Sequence, residues 1–328
     1  MDRLNHAIIG VGHLGKLHTK LTKDLPNCNL IGIFDADVEK AKLVSKEFNV
    51  PFLSSLEEIS EKVDSVSIVS STTSHYEIAK FFIGKNKHVF IEKPITATIE
   101  QAEELVELAD EKKIKLQVGH IERFNPALIS LDKYKLEPKF VQTDRLAQFN
   151  PRGADVAVVL DLMIHDIDII LTLIKSEVKN IYASGVPVVS DSIDIANARI
   201  EFENGAVANI TASRISQKKM RKMRIFQQDA YISIDFNTGI SEVFKLFDGK
   251  TDENSSFISL GEIGIGDKKR IIVYEQPEIR DINALQYEIQ LFIDCVLKDT
   301  PPIVSGHDGL KALKVAELII NKIKETSK

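Results

Sequence analysis

The stretch HAIIGVGHLG, residues 6–15, decides the fold. An apolar run that reads as a strand leads directly into Gly10, Gly12 and Gly15, which have the G-x-G-x-x-G spacing. In a dinucleotide-binding fold the first glycine permits a tight turn, the second lets the backbone approach a pyrophosphate, and the third lets helix and strand pack closely. We therefore predict a strand–turn–helix unit whose helix N-terminus faces phosphate groups.

The carboxylate that such a unit needs follows at the expected distance. The next apolar run, NLIGIFD, ends in Asp35, about 20 residues beyond Gly15, where a dinucleotide fold places the acid that binds the adenosine ribose. Asp35 and the nearby Asp37 would repel a 2′-phosphate, and no arginine follows Asp35 to receive one. The pattern therefore favours NAD over NADP.

The rest of the first third continues this alternation of strands and helices. The runs SVSIVSS, KHVFIEKP and IKLQVGH read as further strands, and Val38 to Phe48 and Thr98 to Glu111 read as amphipathic helices. Strands alternating with helices predict a doubly wound parallel sheet, the α/β Rossmann class. Because ligands of such sheets bind beyond the carboxyl ends of the strands, Ser70, Thr72 and Thr73 are candidate cofactor contacts, and His75 either binds the cofactor or caps the next helix.

The pattern changes at about residue 123. Six segments then read as strands, and Asn204-Gly205 is typical of a hairpin turn between two of them. The segments are EPKFVQTDRLAQF, VKNIYASGVPVV, NARIEF, AVANITASR, MRIFQQDAYISIDF and RIIVYEQPEI. They predict an α+β domain with a large, mainly antiparallel sheet, so that residues 1–122 form a dinucleotide-binding domain and 123–328 a substrate and oligomerisation domain. Two helices, roughly Ile282 to Leu297 and His307 to Ile323, close the chain.

Composition excludes several other classes of protein. With 44% apolar and 27% charged residues the chain is globular, and it has no apolar run long enough to span a membrane. A net charge of -6 argues against a nucleic-acid binder. Cys28 and Cys295, the two cysteines, fit no zinc or disulfide framework, and the N-terminus has no signal-peptide pattern, so we expect a cytoplasmic protein.

One apolar helix carries an unusual set of polar residues. The stretch VLDLMIHDIDII, residues 159–170, contains three aspartates and a histidine. At helical spacing Asp161, His165 and Asp168 share one face, whereas Asp166 points elsewhere. Because an unpaired buried carboxylate is costly, these groups must be hydrogen-bonded, ion-paired, metal-bound or exposed to a wet cleft.

The segment IEKP, Ile91 to Pro94, resembles a signature of the Gfo/Idh/MocA oxidoreductases when it follows a G-x-G-x-x-G unit. The resemblance implies that Lys93 is catalytic, that Glu92 contacts the cofactor, and that the peptide before Pro94 is commonly cis. The family's second signature, D-x-x-x-H on a helix of the substrate domain, is matched by Asp161 and His165. The cofactor-binding set predicted in this way is Gly10, Gly12, His13, Leu14, Gly15, Asp35, Ser70, Thr72, His75, Glu92 and Lys93.

A finer resemblance suggests the substrate. The segments VGHIERFNPAL and FNPRGADVAVVLDLMIHDIDII look like the branch that oxidises the 3-hydroxyl of UDP-N-acetylglucosamine, or of its uronate, before an aminotransferase adds an amine for lipid A or a surface polysaccharide. This implies a pyridoxal-phosphate aminotransferase that acts on the product, and a homodimer or homotetramer. The predicted substrate-binding residues are Lys93, Arg123, Asn125, Asn150, Arg152, Asp161 and His165. Arg123, Asn125, Asn150 and Arg152 could instead be structural turn residues.

In the implied reaction a hydride passes from a secondary carbinol carbon to NAD. His165 is the candidate base, because an imidazole titrates near neutral pH, and Lys93 would stabilise the developing alkoxide or share the proton relay. Asp161 would orient His165 or bind a substrate hydroxyl, and Asp168 would be an outer partner. A dehydrogenase of inositol or a free hexose is the alternative within the enzymes.

Two alternatives come from other functional classes. A metal site on Asp161, His165 and Asp168 would leave the dinucleotide pattern unexplained, so we expect no metal. A non-enzymatic NAD-binding sensor would have no need for a proton-transfer set. The basic run QKKMRKMR, residues 217–224, is either a site for an anionic sugar nucleotide or a solvated strand.

Overall fold

The computed structural model describes residues 3–150, 156–247 and 258–326. The described chain divides into two compact units. The first unit contains the residues up to Ile121 together with Ile282–Lys314, and the second contains the described part of Glu122–Asp281 together with Val315 onward. Within the described ranges, no helix is both long and apolar enough to cross a membrane.

The first unit is built on a parallel sheet of five strands in the order β2-β1-β3-β4-β5. The strands are β1 (Leu4–Ile9), β2 (Cys28–Phe34), β3 (Ser65–Ile68), β4 (His88–Glu92) and β5 (Leu116–Gly119). All four residues of β3 and of β5 are buried, as expected when helices cover both faces of a sheet. The predicted parallel Rossmann sheet is confirmed.

Helices of this unit begin at the capping residues that the sequence provides. The helices are α1 (His13–Lys23), α2 (Val38–Phe48), α3 (Leu56–Lys62), α4 (Thr72–Gly84), α5 (Ile99–Glu111) and, from the C-terminal part of the chain, α8 (Ala284–Leu297). Asp37, Ser55, Thr98 and Asn283 each accept a backbone N–H from the first turn of the helix that follows. Helix α8 packs in the same core as β4, where the rings of Phe292 and Phe90 meet edge to face.

The second unit contains a sheet of nine strands, in the order β13-β14-β12-β11-β10-β6-β9-β8-β7. Its strands are β6 (Phe140–Leu146), β7 (Val178–Val186), β8 (Ile195–Phe202), β9 (Val207–Ser213), β10 (Met220–Phe226), β11 (Ala230–Asp235), β12 (Ile240–Phe247), β13 (Ile258–Ile263) and β14 (Arg270–Glu275). Every pairing is antiparallel except that of β6 with β9. The predicted, mainly antiparallel sheet is confirmed, and the turn between β8 and β9 contains Gly205 at φ +80°.

Two details of this sheet differ from the prediction. The segment MRIFQQDAYISIDF, predicted as one strand, forms two strands, β10 and β11, which pair with each other as a hairpin. The polar residues Gln227, Gln228 and Asp229 separate the two strands. Strands β12 and β13 were not predicted, because charged residues interrupt the apolar pattern of both and Gly261 also interrupts that of β13.

The remaining helical segments of the chain are short apart from the last. They are a 3-10 turn (Ile121–Phe124), α6 (Pro126–Ile129), a π-helical turn (Val159–Met163) that continues into α7 (Ile164–Leu173), a second 3-10 turn (Gly266–Lys268) and α9 (Gly306–Thr326). The π-helical turn and α7 both contact β9. This contact fixes the D-x-x-x-H segment on the sheet of the second unit.

Candidate active site

A cavity of about 600 Å³ opens at the carboxyl ends of β1, β2 and β3 in the first unit. Its wall contains Gly10, Gly12, His13 and Leu14, from the turn and the start of α1. Asp35 and Ser70 line it from the ends of the neighbouring strands. This is the edge at which a doubly wound sheet binds a dinucleotide, and the N-terminus of α1 begins there.

Two of the glycines are required by close approaches of the backbone. Gly10 has φ +91°, and a Cβ on it would lie 2.7 Å from the amide nitrogen of Ser70. A Cβ on Gly15 would lie 2.0 Å from the carbonyl oxygen of Gly10. Neither position accepts a side chain, so the turn can hold α1 directly against the end of β1.

Asp35 is held in place by three donors. Its carboxylate accepts hydrogen bonds from the backbone amides of Val11 (2.8 Å) and Asp37 (3.0 Å) and from the ammonium of Lys40 (2.9 Å). Partial burial opposes ionisation, but these donors outweigh it and hold the pKa of Asp35 below its usual value. An ionised carboxylate at this edge of the sheet can accept hydrogen bonds from the hydroxyls of a ribose.

Lys40 is a residue of this cavity that the sequence analysis missed. Its ammonium is the nearest group to the open side of Gly12, 3.9 Å from where a Cβ would stand. No arginine follows Asp35 in the sequence, but a cation does lie beside it, in the first turn of α2. The D-x-x-x-x-K spacing across the start of a helix was the available signal.

The segment after β3 divides into residues that line the cavity and residues that do not. Ser70, Ser71 and Ser74 line it, whereas Thr72 is not part of its wall. His75 is buried, with Nδ1 3.0 Å from the carbonyl oxygen of Pro94 and Nε2 3.2 Å from that of Ser70. Burial lowers the pKa of His75. The imidazole thus joins the IEKP turn to the end of β3.

The IEKP turn ends β4 at the same edge of the sheet. The Lys93–Pro94 peptide is cis, as the family resemblance implies, and Lys93 is half-buried. Glu92 is buried, with Oε1 2.9 Å from Nε2 of His18 on α1. The roles assigned to Lys93 and Glu92 stay predictions, but both residues stand at the cofactor edge of the first unit.

In the second unit the D-x-x-x-H segment begins with a π-helical turn. Asp161 lies within that turn, and His165 is the second residue of α7. Both side chains are half-buried, whereas Met163 and Ile164 between them are buried. Isolated π turns inside helices occur often at functional sites, because they shift the phase of one side chain relative to the next.

The other two aspartates of this helix are bound by arginines. Arg145 on β6 makes a bidentate contact with Asp166 (2.8 and 2.9 Å) and a third bond to Glu122 (2.9 Å). Arg123 makes a bidentate contact with Asp168 (2.5 and 2.7 Å). Asp166 and Asp168 are therefore buried ion-pair partners, which leaves Asp161 and His165 as the half-buried pair of the segment.

These contacts bear on the predicted substrate residues. The guanidinium of Arg123 is engaged by Asp168, and Asn125 caps α6 and donates to the carbonyl oxygen of Phe236. Both fit the structural alternative that the sequence left open. Asn150 is exposed, and Arg152 lies outside the described residues.

A second buried arginine, Arg214, was also missed. It donates to Asp194 (2.8 Å) and to the carbonyl oxygen of Val156 (2.5 Å), close to the start of the π turn. Asp194 in turn accepts the backbone amides of Val188 and Val189, both at 2.7 Å. This network fixes the approach to the D-x-x-x-H segment.

The basic run and the metal alternative can now be compared with the structure. Three of the five cations of the run have carboxylates nearby within the second unit: Arg221 with Glu122, Lys222 with Asp235, and Arg224 with Asp144. The run thus largely matches the solvated-strand interpretation.

In the described ranges no group of three or more His, Cys, Asp or Glu side chains is arranged to hold a metal ion.

Comparisons with known proteins agree with this architecture. Two family models match: the oxidoreductase family with an NAD-binding Rossmann fold over residues 4–120, and the GFO/IDH/MocA C-terminal domain over residues 134–233. The chain is 34% identical over 317 residues to the UDP-N-acetylglucosamine 3-dehydrogenase of Acidithiobacillus ferrooxidans, covering 96% of each. A solved structure of that organism's UDP-N-acetylglucosamine 3-dehydrogenase GnnA matches with a TM-score of 0.88 at 32% identity, covering 99% of both chains. The scyllo-inositol 2-dehydrogenase (NAD⁺) of Bacillus subtilis is 28% identical, with 97% of this chain and 93% of that protein covered.

Proposed function

The chain belongs to the Gfo/Idh/MocA family of NAD-binding oxidoreductases, and from that premise we propose that it oxidises the 3-hydroxyl of UDP-N-acetylglucosamine or of its uronate. The observation that carries the proposal is the full-length similarity to an enzyme named for that reaction, at 34% identity. The inositol dehydrogenase similarity is lower, at 28%. The same fold and family would serve a cyclitol, so the substrate has to be tested directly.

The first unit fits the dinucleotide. The turn at Gly10 and the N-terminus of α1 would hold the pyrophosphate, and Asp35 would bind the adenosine ribose. NAD bound there would supply the acceptor for the hydride that leaves the substrate carbon. Lys40, which is hydrogen-bonded to Asp35, would add a positive charge at the same cavity.

The proposed chemistry on the protein side is a proton transfer. The imidazole of His165 takes the proton of the substrate hydroxyl, and the ammonium of Lys93 stabilises the negative charge that develops on that oxygen. Asp161 orients His165 or binds a neighbouring sugar hydroxyl. Since Asp166 and Asp168 are bound by arginines, they are available to fix the helix rather than to exchange protons.

The product would be a 3-keto sugar nucleotide, so we propose that an aminotransferase of the pyridoxal-phosphate class consumes it. We place the protein in the cytoplasm, a proposal that the thiols of Cys28 and Cys295 support because both are free and buried. Burial raises the pKa of Cys28 to about 12 and that of Cys295 to about 11, so neither is a reactive thiolate.

We also propose that the chain forms a homodimer through the nine-stranded sheet. Five aromatic rings form a continuous row across strands β6, β10, β11, β12 and β14, with neighbouring centroids 4.9–5.8 Å apart. The rings are Phe140, Phe226, Tyr231, Phe244 and Tyr274. All five remain half-buried or exposed, and so large a row of apolar rings is suited to a second copy of the same sheet.

The direct test follows NADH by its near-UV absorbance while the protein is incubated with NAD and, separately, UDP-N-acetylglucosamine, its uronate and myo-inositol. A matching aminotransferase and its amino donor run in parallel, because the keto product can be disfavoured at equilibrium. Signal with a UDP-sugar alone supports the proposal. Signal with myo-inositol alone would keep the mechanism and overturn the substrate, and silence with all three despite NAD binding would favour a sensor.

A further inference from the structure

His18 is a buried histidine that the proposed mechanism does not use. It lies on α1, one turn beyond Gly15, and its side chain has no exposed surface. Its Nε2 lies 2.9 Å from Oε1 of Glu92, while its Nδ1 is buried and has no hydrogen-bond partner among the residues that the structure describes. A proton on Nδ1 would be a buried, unsatisfied donor. The ring is therefore suited to donate from Nε2 to the carboxylate.

The carboxylate of Glu92 is enclosed on its other sides as well. Its Oε2 is 3.3 Å from the amide nitrogen of Lys93, the next residue. On β5, Gly119 is the register partner of Glu92, and a Cβ there would come within 2.8 Å of Oε2. The carboxylate thus occupies space that only a glycine leaves open. Three elements therefore fix the position of the Glu92 carboxylate: α1 through His18, β4 through the amide that follows its last residue, and β5 through Gly119.

The turn after Glu92 is held from the opposite side by His75, whose Nδ1 lies 3.0 Å from the carbonyl oxygen of Pro94. Lys93 is therefore the residue between two anchored neighbours. The N-cap residue of helix α1, Gly12, also lines the dinucleotide cavity. Helix α1 therefore contributes to both features. Its first turn faces the cavity for the cofactor phosphates, and His18, one turn further on, contacts Glu92, the residue before Lys93.

We propose that His18 is a positioning residue of the dehydrogenase, which acts through Glu92 to fix the turn that carries Lys93. The inference rests on the proposed function in so far as Lys93 takes part in proton transfer. A misplacement of a reacting group by about 1 Å can lower a rate by about 100-fold. Loss of the imidazole leaves a buried carboxylate oxygen without its side-chain partner, and any rearrangement that gives it a new donor moves the peptide that leads into Lys93.

The test compares two substitutions at one position. His18→Gln keeps an N–H donor near the position of Nε2, and His18→Leu removes it at similar volume. His6→Leu is the matched control, because His6 is also fully buried in the first unit but is bonded to Ser65 and Ser67. Gly119→Ala, whose new Cβ would press on the carboxylate of Glu92 while His18 itself is unchanged, provides an independent route to the same displacement.

Kinetics, deuterium exchange and the melting temperature are measured on each variant. Steady-state kinetics with the active sugar give kcat and the KM for NAD, and deuterium exchange followed by peptide mapping reports the mobility of residues 88–96 without any substrate. We expect His18→Leu and Gly119→Ala to lower kcat by about 100-fold, with the KM for NAD near its wild-type value and faster exchange in 88–96. His18→Gln should recover most of both, and His6→Leu should lower the melting temperature without the kinetic effect.

The proposal is overturned if His18→Gln is as impaired as His18→Leu, if His6→Leu lowers kcat equally, or if exchange in 88–96 is unchanged in His18→Leu. If the wild-type protein oxidises none of the sugars, the proposed function fails by itself. The exchange comparison then still decides whether His18 fixes the turn.

Discussion

Replacing Arg145 with methionine should destabilise the second unit strongly, and less so in acid. The guanidinium makes three charged hydrogen bonds at 2.8–2.9 Å to Asp166 and Glu122, and it is only 2% exposed. Each such bond contributes about 1.5–3 kcal/mol to the free energy of unfolding. The variant offsets part of this loss, because it has no guanidinium to desolvate on folding. Breaking a buried ion pair from one side costs about 3–5 kcal/mol, which is the loss we expect near pH 7.

The pH dependence separates this mechanism from a simple packing defect. Burial raises the pKa of Asp166, and Arg145 opposes that rise. Without Arg145 the folded pKa of Asp166 lies well above its unfolded value of about 4. An acid of this kind stabilises the folded state below its unfolded pKa and loses that contribution as the pH rises through its folded pKa. The loss in free energy of unfolding caused by Arg145→Met should therefore become smaller as the pH falls from about 7 towards 5.

Urea unfolding followed by circular dichroism measures both effects. Arg199→Met is the matched control, since Arg199 is 43% exposed in the side chain and pairs with Glu201 at 3.3 Å, so its loss should cost about 0–1 kcal/mol. Adding Asp166→Asn to Arg145→Met should recover part of the stability. A deficit no larger than that of Arg199→Met, or one that grows in acid, would refute the reasoning.

Three further outcomes are expected. Lys93→Ala and His165→Ala should stay folded and bind NADH, as measured by its fluorescence, while kcat falls by about 100-fold or more; turnover at the wild-type rate would contradict their roles. Asp35→Asn should lower kcat/KM for NAD by about tenfold and raise kcat/KM for NADP, because Lys40 no longer pairs with a carboxylate and can bind a 2′-phosphate. If the double variant Asp35→Asn, Lys40→Ala gains NADP activity equally, Lys40 does not bind that phosphate. Phe226→Glu should convert a dimer to a monomer in analytical ultracentrifugation, and an unchanged sedimentation coefficient would remove the open sheet face as the interface.

Local patterns in the sequence predicted the first unit well. The spacing of Gly10, Gly12 and Gly15, and the position of Asp35 after the next strand, are set by the geometry of one strand–turn–helix unit. Such short-range constraints leave a direct trace in the sequence. The fold class and the NAD-binding family followed from them, and both are confirmed.

Contacts between residues that are far apart in the sequence could not be predicted in this way. Asp166 and Asp168 were visible as unusual residues on an apolar helix, but nothing local indicated that Arg145 and Arg123 bind them. The helical-face argument grouped Asp168 with His165, although ion pairing buries Asp168. His18 was missed for the same reason, since its partner Glu92 lies 74 residues further along the chain.

The π-helical turn at Val159–Met163 gives this chain an evolutionary freedom that an unbroken α-helix would lack. A π turn holds one residue more than an α turn, so it behaves as a single inserted residue within the helix. Removing one codon between Asp161 and His165 would restore an α turn and rotate the carboxylate around the helix, while the arginine-bound Asp166 keeps its place on the sheet. If Asp161 binds a sugar hydroxyl as we propose, a deletion of three nucleotides would present its carboxylate to a differently arranged set of hydroxyls, a short route from one sugar substrate to another.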